Sequence, residues 1–165
     1  VTCHMSLSNA IKAITKKKVL DTIKIGHTHF LKLGKKNPKV AICGLNPHAS
    51  EGGIFGSEEQ SYIIPSVLKA KKLGINIIGP ISPDIIFREA NNGKFDLVIA
   101  NYHDQGHIPV KVLYFDQSVN VTLGVPFVRT SVDHGTAFDI AYKNIARARN
   151  MVAAIIYALK MINYY

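Results

Sequence analysis

Seven histidines are spread over the chain, and four of them stand in or beside segments that read as loops: His4, His48, His103 and His134. A neutral imidazole is a good ligand for divalent cations. Three of them can hold a cation and leave a coordination position open, which is the arrangement of a catalytic rather than a structural site. His4, His48 and His103 are dispersed, so no local spacing announces such a site. From pattern alone, isolated loop histidines remain the simpler reading. His27, His29 and His107 fall in helical or helix-like stretches and read as surface or packing residues. Asp104 directly follows His103; it could orient that imidazole, accept a proton, or cap a helix. Cys3, beside His4, reads as a small buried residue more readily than as a soft ligand. Gly52, Gly53 and Gly56 form a turn whose N–H groups could approach an anion, although a plain glycine-rich turn explains them as well.

The elements that must position these residues alternate between helix and strand. Residues 6–33 carry apolar side chains at helical spacing, with Ser6 or Ser8 able to cap the start. Lys39–Cys43 is a short apolar run that predicts a buried strand, opening into the loop Gly44–Gly56. Ser57–Gln60 has capping-box form ahead of an amphipathic helix ending at Gly74. Further strands are expected at Ile75–Ile78, Leu97–Ala100, Val119–Leu123 and Phe127–Thr130, and a closing helix at Ala148–Asn163. The pattern predicts an α/β fold, a layered sheet with flanking helices. In such sheets ligands gather beyond the carboxyl ends of the strands, which directs attention to the loops bearing His48 and His103. No repeat or linker interrupts residues 1–165, so a single α/β segment is expected.

Composition narrows the function classes. Hydrophobic residues make up 47% of the 165 and charged residues 19%, enough apolar material for a core and too much for a disordered tail. Cys3 and Cys43 give no disulfide framework and suggest a reducing compartment. The longest apolar run, Met151–Leu159, is too short to span a bilayer. Lys16–Lys18 follows an amphipathic segment rather than preceding an apolar one, so a signal peptide is not expected. A cytoplasmic protein without membrane association follows. Position 1 is Val rather than an initiator Met, which fits a segment of something longer. Twenty basic residues against eleven acidic ones give a net charge of +9. The lysines are diffuse and no aromatic-interleaved basic patch appears, so nucleic acid is not the expected partner; a phosphorylated small substrate suits the charge.

Three stretches carry a family resemblance. Cys43–Gly53 (CGLNPHASEGG), Tyr102–Gly106 (YHDQG) and the run from Asn120 (NVTLGVPFVRTSVDHGTAFDIA) resemble signatures of the 4-hydroxythreonine-4-phosphate dehydrogenase family of pyridoxal phosphate biosynthesis. Val1–His4 resembles that family's V-T-T-H segment. The resemblance covers essentially the whole chain and corresponds to the C-terminal half of a family member. It implies NAD-dependent oxidation of a secondary hydroxyl on a phosphorylated four-carbon acid, followed by decarboxylation. It also implies a fold related to isocitrate and isopropylmalate dehydrogenases, not a GxGxxG Rossmann fold, and a homodimer with the active site at the interface. His4, His48 and His103 match the family's ligands for a divalent metal, Zn²⁺ or else Mg²⁺, Mn²⁺ or Co²⁺. His103 is then expected to serve a site whose other ligands come from the partner subunit. Lys111, Asn120 and Arg129 match the contacts to phosphorylated substrate. Asp104 and Lys111 are the catalytic candidates. His134, Gly135, Thr136 and Ala137 resemble an adenosine-binding loop.

These residue types suit the chemistry. A cation on neutral imidazoles stabilises an alkoxide as a Lewis acid. Arg129 offers a fork of donors, Lys111 a point charge and Asn120 an amide N–H. Two features depart from the simplest assignment. The family often has Gly where Tyr142 stands, which matters if φ is positive there. HDQGHIPVK, residues 103–111, looks closer to the branch acting on D-threonate or D-erythronate 4-phosphate. A non-catalytic remnant or fragment of such an enzyme is the alternative from a different class.

Overall fold

A computed structural model describes residues 1–164, which form two compact units, Val1–Pro109 and the residues from Val110 onward. The division falls inside one helix, α5 (His103–Tyr114), so no loop or linker composition marks it.

The first unit is built on three parallel strands, β1 (Val40–Cys43), β2 (Ile77–Ile81) and β3 (Leu97–Ile99), in the order β2-β1-β3. All four residues of β1 are buried. Successive side chains point to opposite faces. Val40 and Ile42 meet Val19 and Ile23 of α2 (Lys16–Lys32) and Val67 and Ala70 of α3 (Ile64–Lys72). Ala41 and Cys43 meet Ile86 of α4 (Pro83–Asn91) and Phe95. The central strand is therefore covered on both faces, as its unbroken apolar run predicts. The layered α/β expectation holds. Burial pushes the Cys43 thiol up to about 12, so it packs rather than reacts.

Local differences from the sequence reading have physical causes. The single helix expected over residues 6–33 is two, α1 (Leu7–Ala13) and α2. Ser6 caps the first by accepting the Asn9 N–H, and Thr15 caps the second by accepting the Lys18 N–H. Ile14, between them, is buried, so the apolar periodicity runs across the break and hides it. β2 lies two residues later than expected and includes Gly79-Pro80, a pair that reads as a turn. Gly79 has φ +133°, and a Cβ there would stand 2.6 Å from the Ile42 carbonyl oxygen, so only glycine fits. Pro80 is tolerated because β2 is an edge strand.

In the second unit β4 (Val119–Val121) and β5 (Thr130–Val132) form an antiparallel hairpin beside α6 (Arg149–Ile162). The Thr130 hydroxyl donates to the Ala154 carbonyl at 2.9 Å, and Asn150 Nδ2 donates to the Phe115 carbonyl at 3.0 Å. The expected strand Phe127–Thr130 starts only at Thr130, and Phe127 is exposed. Among the described residues no helix is long and apolar enough to cross a membrane.

Tyr142 adopts φ +61° and its side chain is fully exposed. A non-glycine residue in that region costs roughly 1–2 kcal/mol, partly offset on replacement by the greater freedom of an unfolded glycine. Tyr142→Gly is expected to raise stability by about 1 kcal/mol or less, read as a higher urea midpoint. A lower midpoint would show that the ring makes a stabilising contact.

Candidate functional site

Two of the metal-ligand candidates are brought together by one buried amide. Asn101 follows β3 and is fully buried. Its Nδ2 donates to the Cys43 carbonyl at the end of β1 (2.8 Å), and its backbone N–H donates to Gln105 Oε1 (2.7 Å). Gln105 Nε2 in turn donates to the Gly44 carbonyl (2.8 Å). The Asn101 carbonyl accepts from the Thr2 N–H (3.0 Å) and the Thr2 hydroxyl (2.8 Å). His4 and His103, two residues beyond Thr2 and Asn101, are thereby set side by side with ring centroids 5.3 Å apart. Together with Met5, Tyr102 and Asp104 they line a cleft of about 300 Å³.

His103 is the first residue of α5 rather than part of a loop. Asp104 Oδ1 lies 2.7 Å from His103 Nδ1. That contact orients the ring and leaves Nε2 for another partner, the orienting role considered from sequence. The His107 ring stacks on His103 at 4.0 Å, nearly parallel at 4°. Its Nδ1 donates to the His103 carbonyl at 3.1 Å; because a carbonyl only accepts, the proton sits on that nitrogen. The sequence alone marks His107 as a surface or packing residue. The i, i+4 spacing to His103 on a helix was the available signal. Cys3 is exposed rather than buried, with Sγ 3.5 Å from His4 Nδ1.

His48 is presented differently. Its ring lies against Phe55, centroids 6.2 Å apart. It opens a run of five left-handed residues, His48, Ala49, Ser50, Glu51 and Gly52, with φ from +44° to +72°. Each non-glycine residue there costs roughly 1–2 kcal/mol, so the run persists only because its surroundings impose it. Gly44 permits it: a Cβ on Gly44 would stand 2.6 Å from the Ala49 Cα. The capping box expected at Ser57–Gln60 does not form. The helix opens instead on a wide π turn, Glu59–Ile63, with Glu59 fully buried.

The donors suit a divalent cation, but the expected set of three imidazoles is met only as the pair His4 and His103. Among the described residues no group of three or more His, Cys, Asp or Glu side chains could hold a metal ion.

The anion contacts expected at Lys111, Asn120 and Arg129 all lie in the second unit. Asn120 stands opposite Ser131, and Thr122 pairs with Arg129 through its N–H (3.0 Å). Alternation puts Asn120, Thr122, Arg129 and Ser131 on one face of the hairpin, while Thr130 faces α6. Arg129 and Asn120 are exposed, and Arg129 Nη1 donates to the Thr122 hydroxyl (2.8 Å). Asp133 continues that face and binds Lys111 Nζ at 3.0 Å. Lys111 also sits over the Phe115 ring, 5.5 Å from its centroid. Thr122, missed in the sequence, holds the arginine fork. His134–Ala137 form an exposed turn ahead of a 3-10 segment, Phe138–Ile140; His134 Nδ1 donates to the Gly135 carbonyl (2.9 Å), and Ala137 has φ +52°.

A covered parallel sheet with polar and ionisable groups gathered where its strands end is the layout in which α/β domains bind ligands. The chain belongs to the PdxA family, described as pyridoxal phosphate biosynthetic protein, which matches residues 1–158. It is 48% identical over 161 residues to a 4-hydroxythreonine-4-phosphate dehydrogenase of Geobacter metallireducens, covering 98% of this chain and 48% of that protein. It is 49% identical over 156 residues to a D-threonate 4-phosphate dehydrogenase of Cupriavidus necator, covering 94% and 47%. A crystal structure of 4-hydroxythreonine-4-phosphate dehydrogenase from Klebsiella pneumoniae superposes with a TM-score of 0.88 at 40% identity, covering 97% and 48%. The chain spans about half the length of the curated relatives it matches.

Proposed function

We propose that the chain is part of an NAD-dependent dehydrogenase that oxidises a phosphorylated four-carbon hydroxy acid, 4-phosphohydroxy-L-threonine, and releases carbon dioxide from the β-keto acid formed. The observation that carries this reading is the exposed hairpin face on which Asn120 and Arg129 stand, with Lys111 tied to it through Asp133. Arg129 grips a phosphate or carboxylate with its fork, held in place by Thr122, and Asn120 donates from the same face. Lys111 adds positive charge and is a candidate to exchange a proton with the reacting hydroxyl. Asp104, on the Nδ1 of His103, orients that ring and is the candidate base. The turn His134–Ala137 is assigned to the adenosine end of NAD.

Dependence on a divalent metal belongs to the same reading, with Zn²⁺ first and Mg²⁺, Mn²⁺ or Co²⁺ as substitutes. His4 and His103 account for two ligands. In a homodimer with the site at the interface, His103 serves the site whose other ligands come from the partner subunit, and His48 completes the three-histidine set. Kinship of the fold to isocitrate and isopropylmalate dehydrogenases, a role in pyridoxine biosynthesis and a cytoplasmic location complete the proposal. Two other readings stand beside this one. HDQGHIPVK favours D-threonate or D-erythronate 4-phosphate as substrate, while the identities to the Cupriavidus and Geobacter proteins, 49% and 48%, support the two substrate classes alike. The reading from a different class is a non-catalytic remnant or fragment of such an enzyme.

The test is NADH formation by the intact protein with each phosphorylated acid, before and after chelation. Turnover of one acid, lost on chelation and restored by Zn²⁺, is expected. No NADH with any of these acids or cations would leave the remnant reading standing.

A further inference from the structure

We propose that Glu59 is a positioning residue, whose buried carboxylate fastens the left-handed turn that presents His48. Glu59 is completely buried at the start of a helix, where an acidic side chain ordinarily reaches solvent. Among the described residues its charge is met by N–H donors rather than by a cation. Oε1 accepts the backbone N–H groups of Leu45 and Asn46, both at 2.7 Å, and Oε2 accepts Asn46 Nδ2 at 2.9 Å. A carboxylate that accepts three such N–H bonds grips its donors strongly. Everything it grips lies in the two residues ahead of Pro47-His48.

The far side of the turn is fastened by the next residue along. The buried Ser50 hydroxyl donates to Gln60 Oε1 at 3.4 Å. Between these two anchors lie Pro47, which has no N–H, and His48 and Ala49, whose left-handed backbone is unfavourable by itself. The π turn beginning at Glu59 is a further irregularity of the kind that recurs at functional sites. Two departures from regular geometry, one in the loop and one in the helix, thus meet at a single carboxylate. Its consequence is a His48 backbone fixed before any ligand arrives, and with it the direction in which the side chain leaves the turn. The inference rests on the reading that His48 serves the dehydrogenase reaction.

The test uses the intact protein with Glu59→Gln, and Asn46→Ala as a milder variant that leaves both Oε1 contacts and removes the Oε2 contact together with the Asn46 Nδ2 bond to Glu58 Oε2 (2.8 Å). Gln can still accept at Oε1, but its Nε2 donors face the Asn46 amide. Left-handed residues give a strong intraresidue HN–Hα cross-peak in NOE spectra. Those of His48, Ala49 and Glu51 are expected to weaken in Glu59→Gln and, less, in Asn46→Ala. The activity kcat/KM is expected to fall about 10–100-fold in Glu59→Gln, the loss typical when the group orienting a functional side chain is removed. Most of the loss should lie in kcat. In a His48→Ala background the Gln substitution should cost nothing further. Persistence of the cross-peaks in both variants overturns the proposal. So does an undiminished loss in the His48→Ala background, which would mark Glu59 as merely structural. A protein that turns over none of these substrates refutes the functional reading, and the cross-peaks alone then decide whether Glu59 holds the turn. Should Glu59→Gln not fold, Asn46→Ala carries the same comparison.

Discussion

Residues 1–165 by themselves are expected to form no appreciable NADH from 4-phosphohydroxythreonine or D-threonate 4-phosphate, under conditions where the intact protein does so. The residues proposed to bind an anion are present, and so is a cleft with two imidazoles. The ligand group stops at that pair among the described residues. α6 also leaves Met151, Ile155, Leu159 and Ile162 more than half exposed at helical spacing, an apolar stripe without cover in this chain. Chemistry on a bound alcohol needs the substrate fixed and water excluded. Positioning accounts for roughly 7–11 kcal/mol of an enzymatic barrier. Losing a third of it, at about 1.4 kcal/mol per decade, removes two to three powers of ten in rate. The assay compares the two proteins at equal molar concentration. Comparable rates would show that the site is complete in these residues.

Arg129→Ala is expected to lower kcat/KM of the intact protein about 10- to 100-fold. A hydrogen bond to a charged group contributes roughly 1.5–3 kcal/mol, and about 1.4 kcal/mol is one decade. The guanidinium is exposed and braced by Thr122, so its removal leaves no buried charge behind and the fold should be unaffected. The loss should therefore be selective. A substrate analogue lacking the phosphate should react with wild type and variant at similar, low efficiency. If the variant discriminates between the phosphorylated and unphosphorylated acids as wild type does, Arg129 does not bind the phosphate.

Much of the architecture was legible because it is written in burial. Val40–Cys43 is apolar at every position, and only a strand covered on both faces explains that. What escaped detection depends on single atoms. The break at Ile14-Thr15 is invisible because the buried Ile14 keeps the helical period intact. β2 was displaced because Gly79-Pro80 reads as a turn until the contact with the Ile42 carbonyl shows why glycine stands there. At the site, the histidine and cation candidates stand out by type and motif, and Asp104 by adjacency. Glu59 was not, since Ser57–Gln60 fits a capping box equally well. Nothing in a linear pattern distinguishes a carboxylate that turns outward to cap from one that turns inward to hold a loop.

The contrast between the two thiols offers a practical handle. Cys43 lies in the sheet with its proton firmly held, whereas Cys3 is exposed and next to His4. A maleimide or iodoacetamide reagent reacts with thiolates it can reach, so labelling of the folded chain goes to Cys3 alone. A fluorophore placed there sits at the edge of the cleft and reports its occupancy without an engineered cysteine.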